Sequence, residues 1–469
     1  MAAYTLNPDQ QAAFETIQEF LKHPTTNILV LRGYAGTGKT FLMQHLCNWL
    51  EKREQKFCML ASTGRAASVL KGKTGFTTKT VHSELYNFSK IDGIEENSKT
   101  DSKINSNGQM TLQFLLRAPD EDKKLYIVDE ASMMSCEVSK DQAFATFGSG
   151  ILLDDFFEVA GQNKIIFVGD PCQLPPVGQA FSPALDVNWL SAKGLTAMVV
   201  TLTKIERTNA DNGILTLATS IRNMSTQDIP ARFPQLPARD LNNIKLHFSD
   251  KDIFHHYVQK YKATGANKTL AIARSNALVQ NINKAMRREL YGSVDAPLQE
   301  GDILLVTQNN YAVALTNGDF VEVLELGELK YRSHLVFQQV RIKALASDKE
   351  TTMLLSMDAL ESPKGGLTND QSQFLLMDFN KRMRAKNIAQ NSEKYKKAMR
   401  DDEYMSSLKA SYGYAVTCHK AQGGEWDDVY LFLESKMYGM PHNELCRWWY
   451  TAVTRAKKQL NLVNGSWVA

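Results

Sequence analysis

The segment Gly33-Tyr34-Ala35-Gly36-Thr37-Gly38-Lys39-Thr40 is where this sequence points most directly to chemistry. Its glycine, lysine and threonine spacing, after an apolar run and before a helical pattern, is that of a loop built to hold phosphates. Gly33, Gly36 and Gly38 let the N–H groups of the loop, that of Thr37 among them, turn inward, and the following helix offers its positive N-terminal end. Lys39 then reaches the β- and γ-phosphates and Thr40 binds Mg2+. The competing reading is a Gly-rich turn without a ligand. The spacing, the Lys-Thr pair and the flanking pattern together favour ATP or GTP with Mg2+.

Two further strand ends complete such a site. Leu125-Tyr126-Ile127-Val128-Asp129-Glu130 closes an apolar run with two carboxylates, at the end of a strand where α/β sheets bind their ligands. Asp129 is suited to hold the magnesium through water, and Glu130 to orient or deprotonate the attacking water, because phosphoryl transfer needs positioning and charge neutralisation more than covalent chemistry. Val168-Gly169-Asp170-Pro171-Cys172-Gln173 follows another apolar run, and the Gln173 amide is suited to sense the γ-phosphate. Arg207 and Arg455 are the candidates to bring positive charge to the transition state from a facing domain. Isolated arginines more often make surface salt bridges.

These groups need strand tips and helix starts to hold them. Residues 27–202 alternate short apolar strands with helical patterns, as a parallel sheet covered by helices requires. The clearest strands are at 28–31, 57–61, 125–128 and 164–168. A polar stretch at 87–117 breaks the rhythm and is longer than a usual connection, which predicts an inserted hairpin subdomain. A second strand-and-helix series begins at 269–273, continues in a helix over 276–290, and resumes at 412–417 and 429–432. Between its parts, 301–345 reads as short β segments divided by turns such as Asn317-Gly318-Asp319, a composition suited to a small barrel. Residues 379–400 mix Lys and Arg with helix formers, either a solvated helix or a strand-binding face.

Composition bounds the class without naming it. The 469 residues suggest roughly three or four domains. Apolar residues at 43% and charged residues at 22% exclude a globally disordered chain. A net charge of +3 neither demands nor excludes a polyanionic partner. The six cysteines show no Cys-x-x-Cys spacing, so neither a zinc site nor a disulfide framework is signalled, and a reducing, cytoplasmic location fits. No apolar run approaches the ~18 residues that would span a membrane, and no signal sequence opens the chain.

Taken in order, these segments resemble the motif series of superfamily one helicases, in the 5′-to-3′ branch (superfamily 1B) that holds RecD, Dda and the TraI helicase domain. Asp129-Glu130-Ala131-Ser132-Met133 and Gly169-Asp170 through Gln173-Leu174-Pro175-Pro176 have the wording of that branch. Leu6-Asn7-Pro8-Asp9-Gln10 looks like the motif whose glutamine reads adenine, which makes Gln10 the selector of ATP over GTP. Ala61-Ser62-Thr63-Gly64-Arg65 and Thr80-Val81-His82-Ser83 resemble strand-contacting motifs, implying backbone contacts from Thr63 and His82. Asn276 and Asn283 flank the inserted barrel of that branch, and Asn276 is implied at the strand. Tyr414 to Gly423 resembles the motif that touches strand and nucleotide together. Thr417 and His419 then face the strand, while Gln422 and Gly423 bear on the nucleotide. Arg207 and Arg455 fall in motifs that carry arginine fingers.

The resemblance implies an α/β fold with two tandem RecA-like P-loop NTPase domains, an inserted hairpin subdomain and an inserted small SH3-like β-barrel. The expected division is 1–86 and 118–205 for the first motor domain, with 87–117 as a pin-type insertion. Residues 206–300 and 410–469 form the second, with 301–409 as the barrel and its helical, basic extension. The implied activity is that of a DNA-stimulated ATP hydrolase, a helicase that moves 5′-to-3′ on single-stranded DNA and unwinds duplex in replication, recombination, repair or a phage or defence setting. Its expected partners are single-stranded DNA and junctions of single- and double-stranded DNA, with room for replication or recombination proteins, and it is expected to work as a monomer away from membranes. Tyr86, Phe88, Trp426, Trp448 and Trp449 are candidate base-stacking platforms, core packing being the alternative. An RNA helicase and a nucleotide-switched, strand-binding subunit without unwinding activity remain as competing readings.

Overall fold

The computed structural model describes residues 5–92, 111–119, 122–138, 145–205, 212–227, 234–293, 296–310, 313, 315–363 and 365–469. The strands of its first part, in chain order, are β1 (Ile28–Gly33), β2 (Phe57–Ala61), β3 (Thr78–Thr80), β4 (Tyr86–Asp92), β5 (Thr111–Leu116), β6 (Leu125–Asp129), β7 (Ala145–Phe147), β8 (Lys164–Gly169) and β9 (Ala197–Leu202). Six of them form a parallel sheet in the order β3-β2-β6-β8-β1-β9. Continuous apolar runs are what such a sheet needs, because helices cover both of its faces. Alternate residues serve the two sides: Ile28, Val30, Tyr126, Val128, Ile165 and Phe167 enter one core, while Leu29, Leu31, Ile127, Ile166 and Val168 enter the other. Each such side chain contributes roughly 1.5–3 kcal/mol by leaving water.

The second series comprises β10 (Ile244–His247), β11 (Thr269–Ala273), β12 (Ile303–Val306), β13 (Phe320–Arg332), β14 (Leu335–Ala344), β15 (Glu350–Ser356), β16 (Ala410–Tyr412), β17 (Ala415–Thr417), β18 (Trp426–Phe432) and β19 (Ala456–Val463). A second parallel sheet runs β10-β19-β18-β11-β17. The other five strands form an antiparallel sheet in the order β15-β14-β13-β12-β16. Its edges are β15 and β16, and a backbone bridge between Leu355 and Leu408 ties the first edge to the segment leading into the second. The fold is thus α/β with two parallel sheets in tandem and an antiparallel sheet between parts of the second.

Buried polar groups fasten that antiparallel sheet to the second parallel one. Arg287, on helix Asn276–Tyr291, grips the Asp302 carboxylate with two donors at 3.1 and 3.0 Å, and the Tyr414 hydroxyl donates to the same carboxylate at 2.7 Å. Asn283, one of the two asparagines singled out above, accepts from the Ala415 N–H at 2.7 Å and donates to the carbonyls of Tyr412 and Ala415. It therefore fixes the passage from β16 to β17.

The polar stretch of the first part contributes β4 and β5, an antiparallel pair that β7 extends in parallel. Residues 93–110 of this expected hairpin lie outside the described residues. The basic segment forms helices Asn369–Ala385 and Glu393–Asp401, whose own core of Leu376, Phe379, Met383, Tyr395 and Met399 is joined by Leu112 from β5. Arg382 of this pair is committed to Asp378 and Asp402. No helix among the described residues is long and apolar enough to cross a membrane.

Candidate active site

Register brings the motif residues to one end of the first sheet. Ala61 of β2 lies beside Asp129 of β6 and Thr80 of β3, and Arg32 of β1 lies beside Gly169 of β8. Past β1 the loop turns at Gly36 (φ 81°) and Gly38 (φ 80°), both in the left-handed region that favours glycine. Helix Lys39–Glu51 begins directly after, with Thr40 in its first turn. A Cβ on Gly33 would stand 2.8 Å from Thr37 Oγ1, and one on Gly38 would stand 2.3 Å from Gln10 Nε2, so the cradle admits only bare backbone. The Lys39 ammonium donates to the Gly33 and Tyr34 carbonyls at 2.6 and 3.1 Å, and Thr37 Oγ1 donates to Tyr34 at 2.9 Å.

Gln10 stands against this loop in an unexpected way. It is buried, its amide oxygen accepts from the Asn7 N–H (3.2 Å), and its amide nitrogen donates to the Thr37 carbonyl (3.2 Å). The nitrogen end braces helix Pro8–Lys22 against the phosphate loop and the oxygen end closes the capping box of that helix, beside the adenine contact that the sequence suggested.

The acidic side is held under strain, with Asp129 and Glu130 half-buried and Asp170 fully buried. Glu130 has φ 51°, a left-handed conformation that non-glycine residues adopt at some energetic cost and that recurs at functional sites. Burial raises the Asp129 pKa, the neighbouring Glu130 charge adds to the rise, and Lys39 opposes it. Burial likewise raises that of Asp170, against the pull of Lys39 and a hydrogen bond from Tyr450. Gln173 is buried beside it, and its amide oxygen has no hydrogen-bond partner among the described residues; the same holds for Gln422 Oε1. Buried polar atoms without partners are uncommon, and here they sit where a nucleotide would present its groups. The bare-backbone cradle, the buried carboxylate at a strand tip and these two amides fit ATP. Among the described residues no group of three or more His, Cys, Asp or Glu side chains could hold a metal. Magnesium is commonly bound by one or two carboxylates together with substrate phosphates, so Thr40 and Asp129 suffice on the protein side.

Across the cleft, helix His442–Val453 of the second part touches these same groups. The Tyr450 hydroxyl donates to Asp170 Oδ2 at 2.7 Å and accepts from the Ala35 N–H at 2.9 Å. Thr451 Oγ1 accepts from the Leu174 N–H at 2.9 Å, and Gln422 Nε2 donates to the Leu174 carbonyl at 3.0 Å. Gly423 (φ 73°) packs on the first part, where a Cβ would meet that of Ala66 at 2.8 Å. Arg455 is buried and donates to the carbonyls of Thr451 and Gly424 and to Thr454 Oγ1, at 2.9 to 3.1 Å. It lies close enough to Asp170 to pull down the pKa of that carboxyl. Arg207 lies outside the described residues.

The expected strand contacts fall on the two sheet ends. Thr63 caps helix Gly64–Thr74, its hydroxyl accepting from the Ala66 N–H at 3.2 Å. His82 sits in the short helix after β3, 5.7 Å from the Tyr86 ring and 5.9 Å from that of Phe147, and burial lowers its pKa. On the second sheet Thr417 pairs in register with Ala273, exposed Asn276 opens the helix after β11, and His419 follows β17. Burial lowers the pKa of His419, and the positive charge of Arg274 adds to it. The aromatic platforms fare differently: Tyr86, Trp426, Trp448 and Trp449 are all buried in the hydrophobic cores, and the Phe88 side chain lies outside what is described. Sequence reasoning passed over Tyr450 and Arg65; the one signal for Tyr450 was a hydroxyl closing the apolar run Trp448-Trp449-Tyr450.

Comparison with known proteins places two family models on the chain: an AAA domain over residues 5–231 and a UvrD-like helicase C-terminal domain over residues 412–463. An uncharacterized protein of Acanthamoeba polyphaga mimivirus is 21% identical, over 97% of this chain and 99% of that protein. The ATP-dependent DNA helicase Pif1 of Psychrobacter is 22% identical over 64% of this chain and 44% of its own length. The RecD subunit of the RecBCD enzyme of Buchnera aphidicola is 21% identical over 93% of this chain and 70% of its own. In fold the chain is similar to a Bacteroides Pif1 helicase crystallised with ADP-AlF3 and single-stranded DNA, at 15% identity and a TM-score of 0.52, covering 99% of this chain and 95% of that one.

Proposed function

We propose, on the premise that this chain resembles the Pif1- and RecD-like helicases of superfamily 1B over nearly all of its length, that it is an ATP-driven motor. It moves 5′-to-3′ along single-stranded DNA and separates duplex ahead of it. The observation that carries this reading is the cleft: a phosphate loop, the Asp129 and Asp170 carboxylates and Gln173 on one side meet Tyr450, Thr451 and Gln422 on the other. A strand-binding switch needs no such shared cleft, whereas a motor needs two bodies whose separation depends on the nucleotide.

In this reading Lys39 and the loop amides hold the triphosphate, and Glu130 takes or orients the proton of the attacking water. Magnesium, held by Thr40 and Asp129, supplies charge neutralisation on the phosphates. Gln173 reports the γ-phosphate to the second part through Leu174, whose backbone is bound by Thr451 and Gln422. Arg455, and Arg207 with it, meets the charge that develops in the transition state. Gln10 reads adenine, which gives the preference for ATP, and also braces the loop through the Thr37 carbonyl. Thr63 and His82 on one part, with Asn276, Thr417 and His419 on the other, hold the strand by its phosphates, which gives salt-sensitive and sequence-independent affinity. The antiparallel sheet is read as an SH3-like barrel closed through the Leu355–Leu408 bridge, and the β4–β5 pair as the base of the strand-separating pin.

The test is ATP hydrolysis with and without a single-stranded DNA oligomer, using wild type beside Lys39→Ala and Glu130→Gln. Many-fold stimulation of wild type and loss in both variants support the motor; displacement from a 5′-tailed but not a 3′-tailed duplex supports the polarity. Stimulation by RNA of the same sequence in place of DNA would make it an RNA helicase. Nucleotide binding without strand-stimulated turnover would make it a switch.

A further inference from the structure

Helix Gly213–Ser225 buries Ile214, Leu217, Ala218 and Ile221 in the core of the second part. The next residue, Arg222, faces the other way, and its guanidinium carbon lies 4.1 Å from the ring centroid of Tyr34 in the phosphate loop. Tyr34, Ala35, Leu215, Thr219, Arg222 and Tyr450 line one small cleft between the two parts. Among the described residues no carboxylate pairs with Arg222 and no hydrogen bond engages its five donors. Arg455, by contrast, is buried and spends its donors on its own part.

An unpaired guanidinium beside a phosphate cradle has an obvious chemical partner. A cation over an aromatic face is held by the ring quadrupole, whereas a charge-assisted bond to phosphate is stronger and bidentate. We propose that Arg222, stacked on Tyr34, is a nucleotide-sensing cation of the second part that moves from the ring to the triphosphate when nucleoside triphosphate enters the cradle. The contact ties closure of the cleft to the charge on the nucleotide, and Tyr34 gives the arginine its place when that charge is low. The inference rests on the reading of this loop as a nucleotide site.

The test is equilibrium binding of a fluorescent ATPγS analogue and of the matching ADP analogue to full-length wild type, Arg222→Gln and Arg222→Lys, with thermal melts alongside. Loss of one such contact weakens ATPγS by roughly ten- to a hundredfold in Arg222→Gln, with a smaller effect on ADP. Arg222→Lys, which keeps the charge and loses the fork, falls between. ATPγS affinity within about twofold of wild type in both variants, or equal losses for ATPγS and ADP, overturns the proposal. If Arg222→Gln fails to fold, Arg222→Lys alone decides by the same comparison. If wild type itself binds neither analogue, the nucleotide-site reading has failed, a result distinct from an Arg222 variant that binds as well as wild type.

Discussion

Replacing Tyr450 by Phe removes one oxygen and leaves the ring in place, so it isolates what the hydroxyl does between the two parts. Tyr450 is 3% exposed and Asp170 is 0% exposed, so water cannot stand in for the lost group. The change removes a bond to a charged acceptor, worth about 1.5–3 kcal/mol, and one from the Ala35 N–H, worth about 0.5–1.5 kcal/mol, for roughly 2–4.5 kcal/mol together. At about 2–4 °C per kcal/mol for domains of this size, the melting temperature falls by roughly 4–18 °C. The loss also depends on pH. Burial already holds the Asp170 pKa above its unfolded value, and the Tyr450 hydrogen bond counteracts that rise. A raised pKa gives stability that is fully present below the unfolded value and lost as pH rises through the folded one. Tyr450→Phe raises the folded value further, so its deficit against wild type is smallest in acid and grows toward neutral pH. Differential scanning calorimetry of both proteins at about pH 5 and about pH 8 measures this. A variant that melts within about 2 °C of wild type at both values refutes the claim that this hydroxyl couples the parts.

Two further substitutions probe the surroundings. Burial lowers the His82 pKa, so the stability from its neutral form is present above the unfolded value of 6.5 and is lost as pH falls through the lower folded value. Melting of His82→Gln should therefore change less than that of wild type below about pH 6.5, and an identical acid loss in both would show that His82 takes up its proton alike in the folded and unfolded chain. Arg287→Met strands Asp302 in the interior and should cost about 3–5 kcal/mol in urea unfolding, while the double variant with Asp302→Leu should regain only part of it, because the Tyr414 hydroxyl and the Gln299 N–H then lose their acceptor. A single variant as stable as wild type would mean the pair contributes nothing to joining the antiparallel sheet to the second parallel one.

What the sequence made legible was local. A phosphate loop is defined within a few residues by where glycine must stand, and strand tips bearing Asp129, Asp170 and Thr417 follow from apolar runs that end in polar residues. The groups it hid depend on partners far away in the chain. Tyr450 meets Ala35 and Asp170, and Arg222 meets Tyr34, only after two sheets have been stacked with their ends facing. Gln10 shows what a motif leaves unsaid: besides the adenine contact that the motif implies, its amide closes the capping box with Asn7 and donates to the Thr37 carbonyl. The tryptophans show another, because a large aromatic serves a core as well as a base, and Trp426, Trp448 and Trp449 are needed where the second sheet is covered.

The two kinds of contact between the parts differ in how they can move. Beside the phosphate loop the parts meet through hydroxyls and amides, which can exchange one acceptor for another, a phosphate oxygen included, at little net cost. Around Arg65 they meet through side chains packed closely on glycines. A Cβ on Gly64 would fall 1.4 Å from Thr316 Oγ1, one on Gly423 would fall 2.8 Å from that of Ala66, and one on Gly424 would fall 2.4 Å from Arg65 Nε. The Arg65 guanidinium lies 4.3 Å from the Trp426 ring and 4.8 Å from that of Phe320, and burial lowers its pKa to about 10. Close-packed surfaces of this kind do not slide by small amounts; they hold or they separate. The Arg65 junction, where the first part, the antiparallel sheet and the second part converge, is therefore the stiffer of the two contacts, and the Tyr450 end is the one that can change hydrogen-bond partners.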